Sequence, residues 1–269
     1  MYTTYTIGEL AKILGVTAET IRYYERKNII QPIHNKESGY RYYTAWDLHV
    51  LIRARCYLGF GLTIEETSDL LKKESIGEID DVLSKQEQII QNNIIYQMNL
   101  LKKLRLNRKL INDVKNQDQQ FSIQMSPGIY RIDTQKCYNI TLTKQEQNEL
   151  KDFCQHIPFI FSTALFPQKH IENKNTDFYF GIGIEDEFAS IFNIHETNFI
   201  KYYPPQQCLY MCVSSRSSQF LTYKVLEPAF EYMKKNNLQL NGDIITQIVA
   251  YCKPEEEYFN WHNIWIPIQ

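Results

Sequence analysis

Residues 6–27 read TIGELAKILGVTAETIRYYERK, and this stretch predicts two short helices joined by a tight turn. Thr6 is followed three residues later by Glu9, which is the pattern of a threonine that caps a helix N-terminus. Gly15 then ends the apolar spacing of the first helix, and Thr17 can cap a second helix. The chain therefore opens with a helix, a turn and a helix.

The same capping pattern recurs twice in the first 75 residues, at Thr44 with Asp47 and at Thr63 with Glu66. Each pair predicts a further helix start. A proline and a glycine precede the β-favouring run Tyr-Arg-Tyr-Tyr at 40–43, which predicts a small hairpin before the third helix.

Residues 79–114 contain no proline or glycine, and apolar residues return every three or four positions. This spacing predicts one long helix. Because no other segment offers a facing helix of similar length, we expect its apolar seam to be buried against a second copy of the chain. Gln86, Asn93 and Gln97 interrupt the seam and would help to fix its register. The alternative is that the helix folds back on the C-terminal region.

Residues 115–128 form a polar connection, and the pattern changes beyond it. Alternating runs at 178–184, 208–213 and 264–268 predict strands, and helical stretches lie around 146–156 and 223–236. We therefore expect an α+β C-terminal domain with a mainly antiparallel sheet. The expected division is 1–75, 76–118 and 119–269.

Charge is distributed unevenly along the chain. The whole sequence has 29 basic and 31 acidic residues, but residues 1–62 have 8 against 5 and residues 120–269 have 12 against 16. A basic N-terminal region fits nucleic-acid binding, although its net charge of +3 is modest. No apolar run approaches the roughly 20 residues of a membrane helix, and the N-terminus does not have the pattern of an export signal, so we expect a cytoplasmic protein.

The predicted second helix and hairpin carry the candidate nucleic-acid contacts. Guanidinium groups seek phosphates, and phenol hydroxyls beside them can donate to the DNA backbone. Alternatively, the aromatic rings pack the small domain and the arginines pair with Glu19 and Glu25. The candidate DNA-binding residues are Thr20, Arg22, Tyr23, Tyr24, Arg41 and Tyr42.

Four ordered motifs strengthen the first interpretation: YTIGELA at 5–11, TIRYYE at 20–25, GYRYY at 39–43 and LGFGLTIEE at 58–66. Together they resemble the MerR family of bacterial transcription regulators. The resemblance implies an all-α winged helix-turn-helix head and a homodimer held by a long antiparallel coiled coil. It also implies a promoter with an over-long spacer, which the effector-bound dimer distorts so that RNA polymerase can engage both promoter elements and transcription is activated.

Cysteine positions bear on what such a regulator would sense. Metal-sensing members of the family place cysteines at the ends of the dimerisation helix, but this sequence has none between Cys56 and Cys137. Cys208 and Cys212 would be separated by roughly 13 Å on a strand. Because no CxxC pair occurs, we expect reduced, buried thiols. From these cysteine positions we expect no bound metal, and we expect no cofactor.

The C-terminal region resembles the gyrase-inhibitor-like effector-binding domain of multidrug-responsive family members. The resemblance rests on YYPP at 202–205, Gly242-Asp243, the strand at 244–251 and the run NIWIPI at 263–268. In drug-sensing relatives, aromatic rings hold a flat cation and a buried glutamate compensates its charge. The corresponding glutamate positions are Thr246 and Asn263 here.

This departure predicts a small neutral aromatic or drug-like ligand, unless another carboxylate enters the pocket, since an uncompensated buried cation is costly. Glu172, Asp177 and Glu185 are candidates for that carboxylate, or are ordinary surface groups. Period-two geometry places Trp261, Asn263 and Trp265 on one face of a strand, as pocket residues or as core. The candidate ligand-binding residues are Phe161, Tyr179, Tyr210, Thr246, Tyr251, Trp261, Asn263 and Trp265.

We do not expect an enzyme, because no Ser-His-Asp order, phosphate loop or pair of catalytic carboxylates is apparent. An alternative is that the C-terminal domain hydrolyses or sequesters a small toxic molecule, since some isolated domains of this type are reported as hydrolases. Another is that it binds a protein.

Overall fold

The computed structural model describes residues 4–36, 39–116, 120–140, 142–216, 223–253 and 256–269. The chain divides into two compact units, Met1–Tyr96 and Gln97–Gln269. The division falls inside one long helix.

The N-terminal unit is mostly helical with a small antiparallel sheet. Its elements are β1 (Thr4–Thr6), α1 (Ile7–Leu14), α2 (Ala18–Arg26), β2 (Ile33–His34), β3 (Arg41–Thr44), α3 (Ala45–Gly59), α4 (Ile64–Leu70) and the first part of α5 (Ile76–Asn116). The strand order is β1-β3-β2, so the predicted hairpin is confirmed as β2 and β3 and is extended by the strand that precedes α1.

Local sequence signals decide where these helices begin and end. Thr6, Thr44 and Thr63 each form a capping box at the start of α1, α3 and α4, which confirms the three predicted helix starts. Gly15 ends α1 with a φ of 64°, a left-handed conformation that glycine adopts at little cost. Tyr43 lies fully buried in the core between the helices and the sheet.

Helix α5 has 41 residues, slightly more than the predicted 79–114. Many of its large apolar side chains are exposed in the single chain. These include Ile89, Ile90, Ile94, Met98, Leu101 and Leu104. These residues of the expected apolar seam therefore lie on the surface of the isolated chain.

The C-terminal unit is an eight-stranded antiparallel sheet with helices. After the last part of α5 it contains β4 (Ser122–Met125), β5 (Ile129–Lys136), α6 (Lys144–Phe153), β6 (Ile160–Phe166), α7 (Gln168–Glu172), β7 (Tyr179–Glu185), α8 (Asp186–Ala189), β8 (Ile200–Tyr203), β9 (Gln207–Arg216), α9 (Glu227–Lys235), β10 (Ile244–Cys252) and β11 (Phe259–Pro267). The α+β prediction is confirmed, but β4 lies inside the stretch predicted to be a polar connection. Its four residues are exposed and pair with β9 at one edge of the sheet.

The sheet has the order β4-β9-β11-β10-β6-β7-β5-β8. The segments β5-α6-β6-α7-β7 and β9-α9-β10-β11 have the same strand and helix order apart from the short helix α7, and they meet where β6 pairs with β10. Strands in a βαββ order thus lie on either side of the β6–β10 pair.

The two faces of the sheet carry different clusters. On one face, Ile264 and Ile266 pack with Leu226, Ala229 and other residues around α9. On the other face, Tyr210 and Trp265 pack with Ile129, Leu165 and Ile245. We call this second surface the Trp265 face.

The last part of α5 packs within the C-terminal unit. Leu100 and Leu106 contact the cluster that contains Ile132, Phe159 and Phe188. This part of the helix therefore does pack against the sheet domain, as the alternative interpretation of the sequence allowed. No helix among the described residues combines the length and the apolar content needed to cross a membrane.

Candidate functional site

The surface formed by α2 and β3 carries most of the candidate nucleic-acid contacts. Arg22 and Tyr23 are exposed on α2, and Arg41 is exposed at the start of β3. Thr20 accompanies them near the N-terminus of α2, where its hydroxyl lies 2.8 Å from that of Thr17. Tyr42 is half-buried.

Tyr24 is placed differently from the other five candidates. Only 7% of it is exposed, and it packs in the core with Leu10 and Ile21. Its ring therefore contributes mainly to the stability of this unit, as the alternative interpretation of the aromatics expected.

Glu25 joins α2 to the hairpin, whereas the sequence suggested it only as an alternative ion-pair partner. The hydroxyl of the buried Tyr43 donates a hydrogen bond to Glu25, and the guanidinium of Arg41 lies 3.4 Å from the other carboxylate oxygen. Burial, followed by this hydrogen bond, raises the pKa of Tyr43. Glu25 thus positions Arg41 relative to α2.

The exposed arginines have acidic partners in the free protein. Arg22 pairs with Glu19 at 3.2 Å, and both side chains are about half or more exposed. Exposed pairs of this kind contribute only about 0–1 kcal/mol. Such a contact can be exchanged for a phosphate contact at small cost, so the observed pairing is compatible with DNA binding.

A cavity of about 570 Å³ opens at one end of the Trp265 face, entirely within the C-terminal unit. Its wall combines the last part of α5, strand β4 and the sheet. The lining includes Leu106, Leu110, Asp113, Gln124, Glu185, Tyr210, Gln247 and Trp265. The volume lies within the range of small-molecule sites, and aromatic rings with a few converging polar groups are typical of such sites.

Two polar pairs organise the floor of this cavity. The Tyr210 hydroxyl donates to Oδ1 of Asn263 at 2.8 Å, and burial raises the pKa of Tyr210. The Gln247 amide donates to Oε1 of Glu185 at 3.1 Å. Asn263 is fully buried, and its Nδ2 has no hydrogen-bond partner among the described residues, so one donor remains unsatisfied beside the cavity.

Of the carboxylates considered from the sequence, only Glu185 is buried. Its Oε2 lies 2.5 Å from Nζ of Lys103, which is itself buried. Asp177 instead pairs with Lys136 near the surface, and Glu172 accepts a hydrogen bond from Gln168 beside a different cavity. Glu185 therefore reaches the cavity, but with its charge already compensated.

Strand pairing brings together most of the predicted ligand-binding residues. Trp265 pairs with Tyr210 and Ile245, so these side chains share one face, and Trp261 and Asn263 follow at period two along β11. Phe161 and Tyr179 pack on the same face. Six of the eight candidates thus lie on the Trp265 face, although only Tyr210 and Trp265 line this cavity.

The other two candidates, Thr246 and Tyr251, lie on the opposite face. Thr246 pairs with Ile264 and Ala164, which belong to the cluster around α9, and its hydroxyl accepts a hydrogen bond from the backbone N–H of Ala164. Tyr251 follows a β-bulge between 248 and 250 and lines a separate cavity with His262. Thr246 and Asn263 therefore do not face the same site, because Gln247 rather than Thr246 pairs with Asn263.

Sequence reasoning missed Lys103 and Gln247. Lys103 lies three residues after Leu100 and three before Leu106, both of which pack against the sheet domain. A lysine between two partly buried leucines at helical spacing was the available signal. Gln247 carried no signal apart from its neighbour Thr246.

The cavity on the opposite face brings His262 close to Ser215 and Asn260. Both partners approach the same ring nitrogen, Nε2, at 3.3 Å and 3.0 Å, and Nδ1 has no partner among the described residues. A serine-histidine-acid triad needs the acid on Nδ1 and the serine on Nε2. This cluster does not have that arrangement. No group of acidic, histidine or cysteine side chains in the described parts of the chain has the geometry of a metal site.

Two short helices joined by a tight turn, followed by a strand pair, define the helix-turn-helix class of domain. Residues 5–74 match the family model of the MerR HTH family regulatory protein. The N-terminal domain is therefore a MerR-type helix-turn-helix domain.

Known regulators share this similarity over part of their length. The chain is 38% identical over 65 residues to the HTH-type transcriptional regulator CueR of Escherichia coli O6:H1. The aligned residues make up 24% of this chain and 48% of CueR. It is 42% identical over 67 residues to the HTH-type transcriptional regulator ZntR of E. coli K12, with coverage of 25% and 48%. The chain thus spans about half the length of the curated relatives it matches. A solved EcmrR–DNA complex aligns over 98% of this chain and 99% of that chain, at 19% identity and a TM-score of 0.40.

Proposed function

We propose that this protein is a homodimeric transcription regulator that binds promoter DNA through its N-terminal domain and responds to a small molecule bound in the C-terminal domain. The observation that carries the proposal is the MerR-type domain at residues 5–74, with Arg22, Tyr23 and Arg41 exposed on α2 and β3. The relatives CueR and ZntR are named as transcriptional regulators.

The proposed DNA contacts follow from charge and position. Arg22 and Arg41 bind phosphates on either side of a groove, and Thr20 and Tyr23 add hydrogen bonds from α2. Tyr42 supports the contact between the hairpin and the DNA backbone. Phosphate contacts of this kind determine affinity and orientation more than base sequence.

Dimerisation is supported by the exposed stripe on α5. Ile90, Ile94, Leu101 and Leu104 recur at intervals of three, four or seven residues, as in a coiled-coil seam, and each is 41–56% exposed. Gln97 occupies the seam position between Ile94 and Leu101. In the proposed homodimer, α5 of a second subunit covers this stripe.

The proposed effector site is the cavity beside Tyr210 and Trp265. Its aromatic wall favours a flat ligand, and the Tyr210 hydroxyl, which donates to the buried Asn263, fixes the orientation of that ring. Since Lys103 compensates the buried Glu185, a small neutral aromatic or drug-like molecule fits better than a cation.

In the proposed mechanism, the dimer binds two half-sites and distorts the DNA between them when the ligand is bound. The energetic cost of bending and untwisting DNA is offset by the additional phosphate contacts. The distorted spacer would let RNA polymerase engage both promoter elements, so that ligand binding activates transcription.

The test selects duplexes from a random DNA library with the purified protein and measures their affinity by gel shift at several salt concentrations. We expect an inverted-repeat site and a strong salt dependence, because phosphate contacts release counterions. Arg22→Ala should weaken binding at least tenfold. Lys72→Ala is the matched control, since Lys72 also forms an exposed pair with an acidic residue three positions earlier. Selection of no sequence, or equal loss in both variants, would refute the proposed interface.

A further inference from the structure

The side chain of Lys103 is buried, although a lysine on a helix usually reaches solvent. Its relative exposure is 3%, and its ammonium lies 2.5 Å from Glu185 Oε2. A buried ammonium is tolerated only where a carboxylate and further favourable contacts replace its water. The surroundings of Lys103 must therefore form a nearly complete cation-binding site.

Two aromatic rings complete those surroundings. Nζ of Lys103 lies 5.4 Å from the ring centroid of Phe161 and 5.2 Å from that of Phe188. Both distances are within the roughly 6 Å over which a cation is attracted to a ring face. Gly183 makes room for this arrangement, because a Cβ there would lie 3.0 Å from Cζ of Phe161. A carboxylate and two aromatic rings are the groups that recognise ammonium ligands.

Glu185 belongs to both this site and the proposed effector cavity. One carboxylate oxygen contacts Lys103, and the other accepts from Gln247, which also lines the cavity. Both oxygens are thus engaged in the structure. A cation in the cavity would have to break the contact with Lys103 to gain the buried carboxylate.

The remaining charges on the cavity wall are more exposed than Glu185. Asp113 and Asp186 are half-buried, and Glu187 is exposed and pairs with Lys102 at 2.5 Å. Lys109 is the basic residue of the lining and is also exposed. Solvated carboxylates attract a cation weakly, so they do not replace Glu185.

We propose that Lys103 is a built-in cation that occupies a cation-binding site next to the cavity, neutralises Glu185, which the site shares with the cavity, and thereby restricts the cavity to uncharged ligands. This inference rests on the proposed ligand-binding function and specifies its ligand class. It predicts that removing the lysine charge converts the cavity from a site for neutral aromatics into a site for cationic ones.

The test uses two probes of nearly identical shape, tert-butylbenzene and phenyltrimethylammonium, which differ by one positive charge. Binding to the full chain is measured by calorimetry, and in a background with Trp46→Phe and Trp261→Phe the quenching of Trp265 fluorescence locates the probe. We expect the wild-type protein to bind the neutral probe at least tenfold more tightly. In Lys103→Met, affinity for the cationic probe should rise at least tenfold, while affinity for the neutral probe changes less than threefold.

Two further variants separate the buried charge of Lys103 from the overall charge of this part of α5. Lys102→Met removes the neighbouring charge and should leave both affinities within threefold of wild type. Lys103→Met combined with Glu185→Gln should lose the gain in cation affinity, because the carboxylate is gone. Two results would overturn the inference if the neutral probe still binds. One is an equal gain in affinity for the cationic probe in Lys102→Met and Lys103→Met, and the other is no such gain in Lys103→Met. Failure of every variant to bind either probe would overturn the cavity itself, and with it the ligand response.

Glu185→Gln provides a second route if Lys103→Met does not fold. It leaves the ammonium of Lys103 without its carboxylate, so an anionic ligand can supply the missing charge. We expect affinity for benzenesulfonate to rise at least tenfold over wild type. An unchanged affinity for benzenesulfonate would count against Lys103 as the charge that determines specificity.

Discussion

Two adjacent lysines on α5 allow the energetic value of burial to be measured directly. Lys102 and Lys103 each form an ion pair with an N–O distance of 2.5 Å, to Glu187 and Glu185 respectively. The first pair is 55% and 37% exposed, whereas the second is 3% and 11% exposed. Lys102→Met and Lys103→Met therefore remove the same chemical group from two environments.

The expected losses differ severalfold. Removing one partner of a buried pair costs about 3–5 kcal/mol, because an uncompensated charge stays behind in the interior. An exposed pair contributes about 0–1 kcal/mol. For an m-value of about 2 kcal/mol per molar urea, the unfolding midpoint should fall by about 1.5–2.5 M in Lys103→Met and by less than about 0.5 M in Lys102→Met.

Urea unfolding followed by tryptophan fluorescence measures these losses. Trp261 and Trp265 report on the C-terminal unit, and Trp46 lies in the N-terminal unit with 78% of its surface exposed. A Trp46→Phe background removes the unwanted signal with little effect on packing. All variants are compared in that background.

A double variant isolates the charge effect from the loss of packing. Lys103→Met with Glu185→Gln removes both charges, so most of the stability should return. Equal midpoint shifts for Lys102→Met and Lys103→Met would refute the reasoning, since burial would then have no energetic consequence. So would a double variant no more stable than Lys103→Met.

Four other changes have definite expected outcomes. Arg41→Ala should weaken binding to all DNA sequences alike and lower the salt slope by about one, because one phosphate contact is lost; an unchanged gel-shift affinity would contradict the phosphate role. Asn263→Glu should shift preference toward cationic aromatics in a dye-binding screen, since a carboxylate would enter the site; no shift would place Asn263 outside it. Ile94→Lys should raise the dimer dissociation constant at least tenfold in sedimentation analysis, because a charge would enter the seam, and an unaltered dimer would show that α5 pairs elsewhere. Burial lowers the pKa of His262 to about 4 in the folded protein. As the pH falls from about 6.5 to 4, the histidine is therefore protonated in the unfolded chain but not in the folded one. The free energy of unfolding should fall by up to about 3 kcal/mol over this pH range. In urea titrations, His262→Gln should flatten this part of the pH dependence, and identical profiles for the two proteins would contradict it.

Local signals made the N-terminal unit predictable. Capping threonines contact groups three residues away, and Gly15 acts on its own turn, so the helix starts follow from neighbouring residues. The continuity of α5 followed from 36 residues with helical apolar spacing and no proline or glycine. The motifs at 5–11 and 20–25 indicated the MerR-type domain for the same reason, because each is contiguous in the chain.

The C-terminal cavity depended on contacts between distant residues. Whether a side chain faces the Trp265 face is decided by strand register, and a shift of one residue exchanges the two faces. The pairing of Gln247 with Asn263 therefore left Thr246 on the opposite face, and the bulge after Ile248 placed Tyr251 there as well. Neither the register nor the bulge follows from period-two spacing within one strand.

The sequence by itself determined the helix boundaries of the N-terminal domain, the resemblance of that domain to the MerR family and the presence of a strand-rich C-terminal domain, because these depend on residues close together in the chain. Only the tertiary structure decided which charges meet. Lys103 and Glu185 are 82 positions apart, and their contact neutralises the buried carboxylate of the cavity wall. The strength of such a pair depends on its burial, which belongs to the assembled domain rather than to either segment.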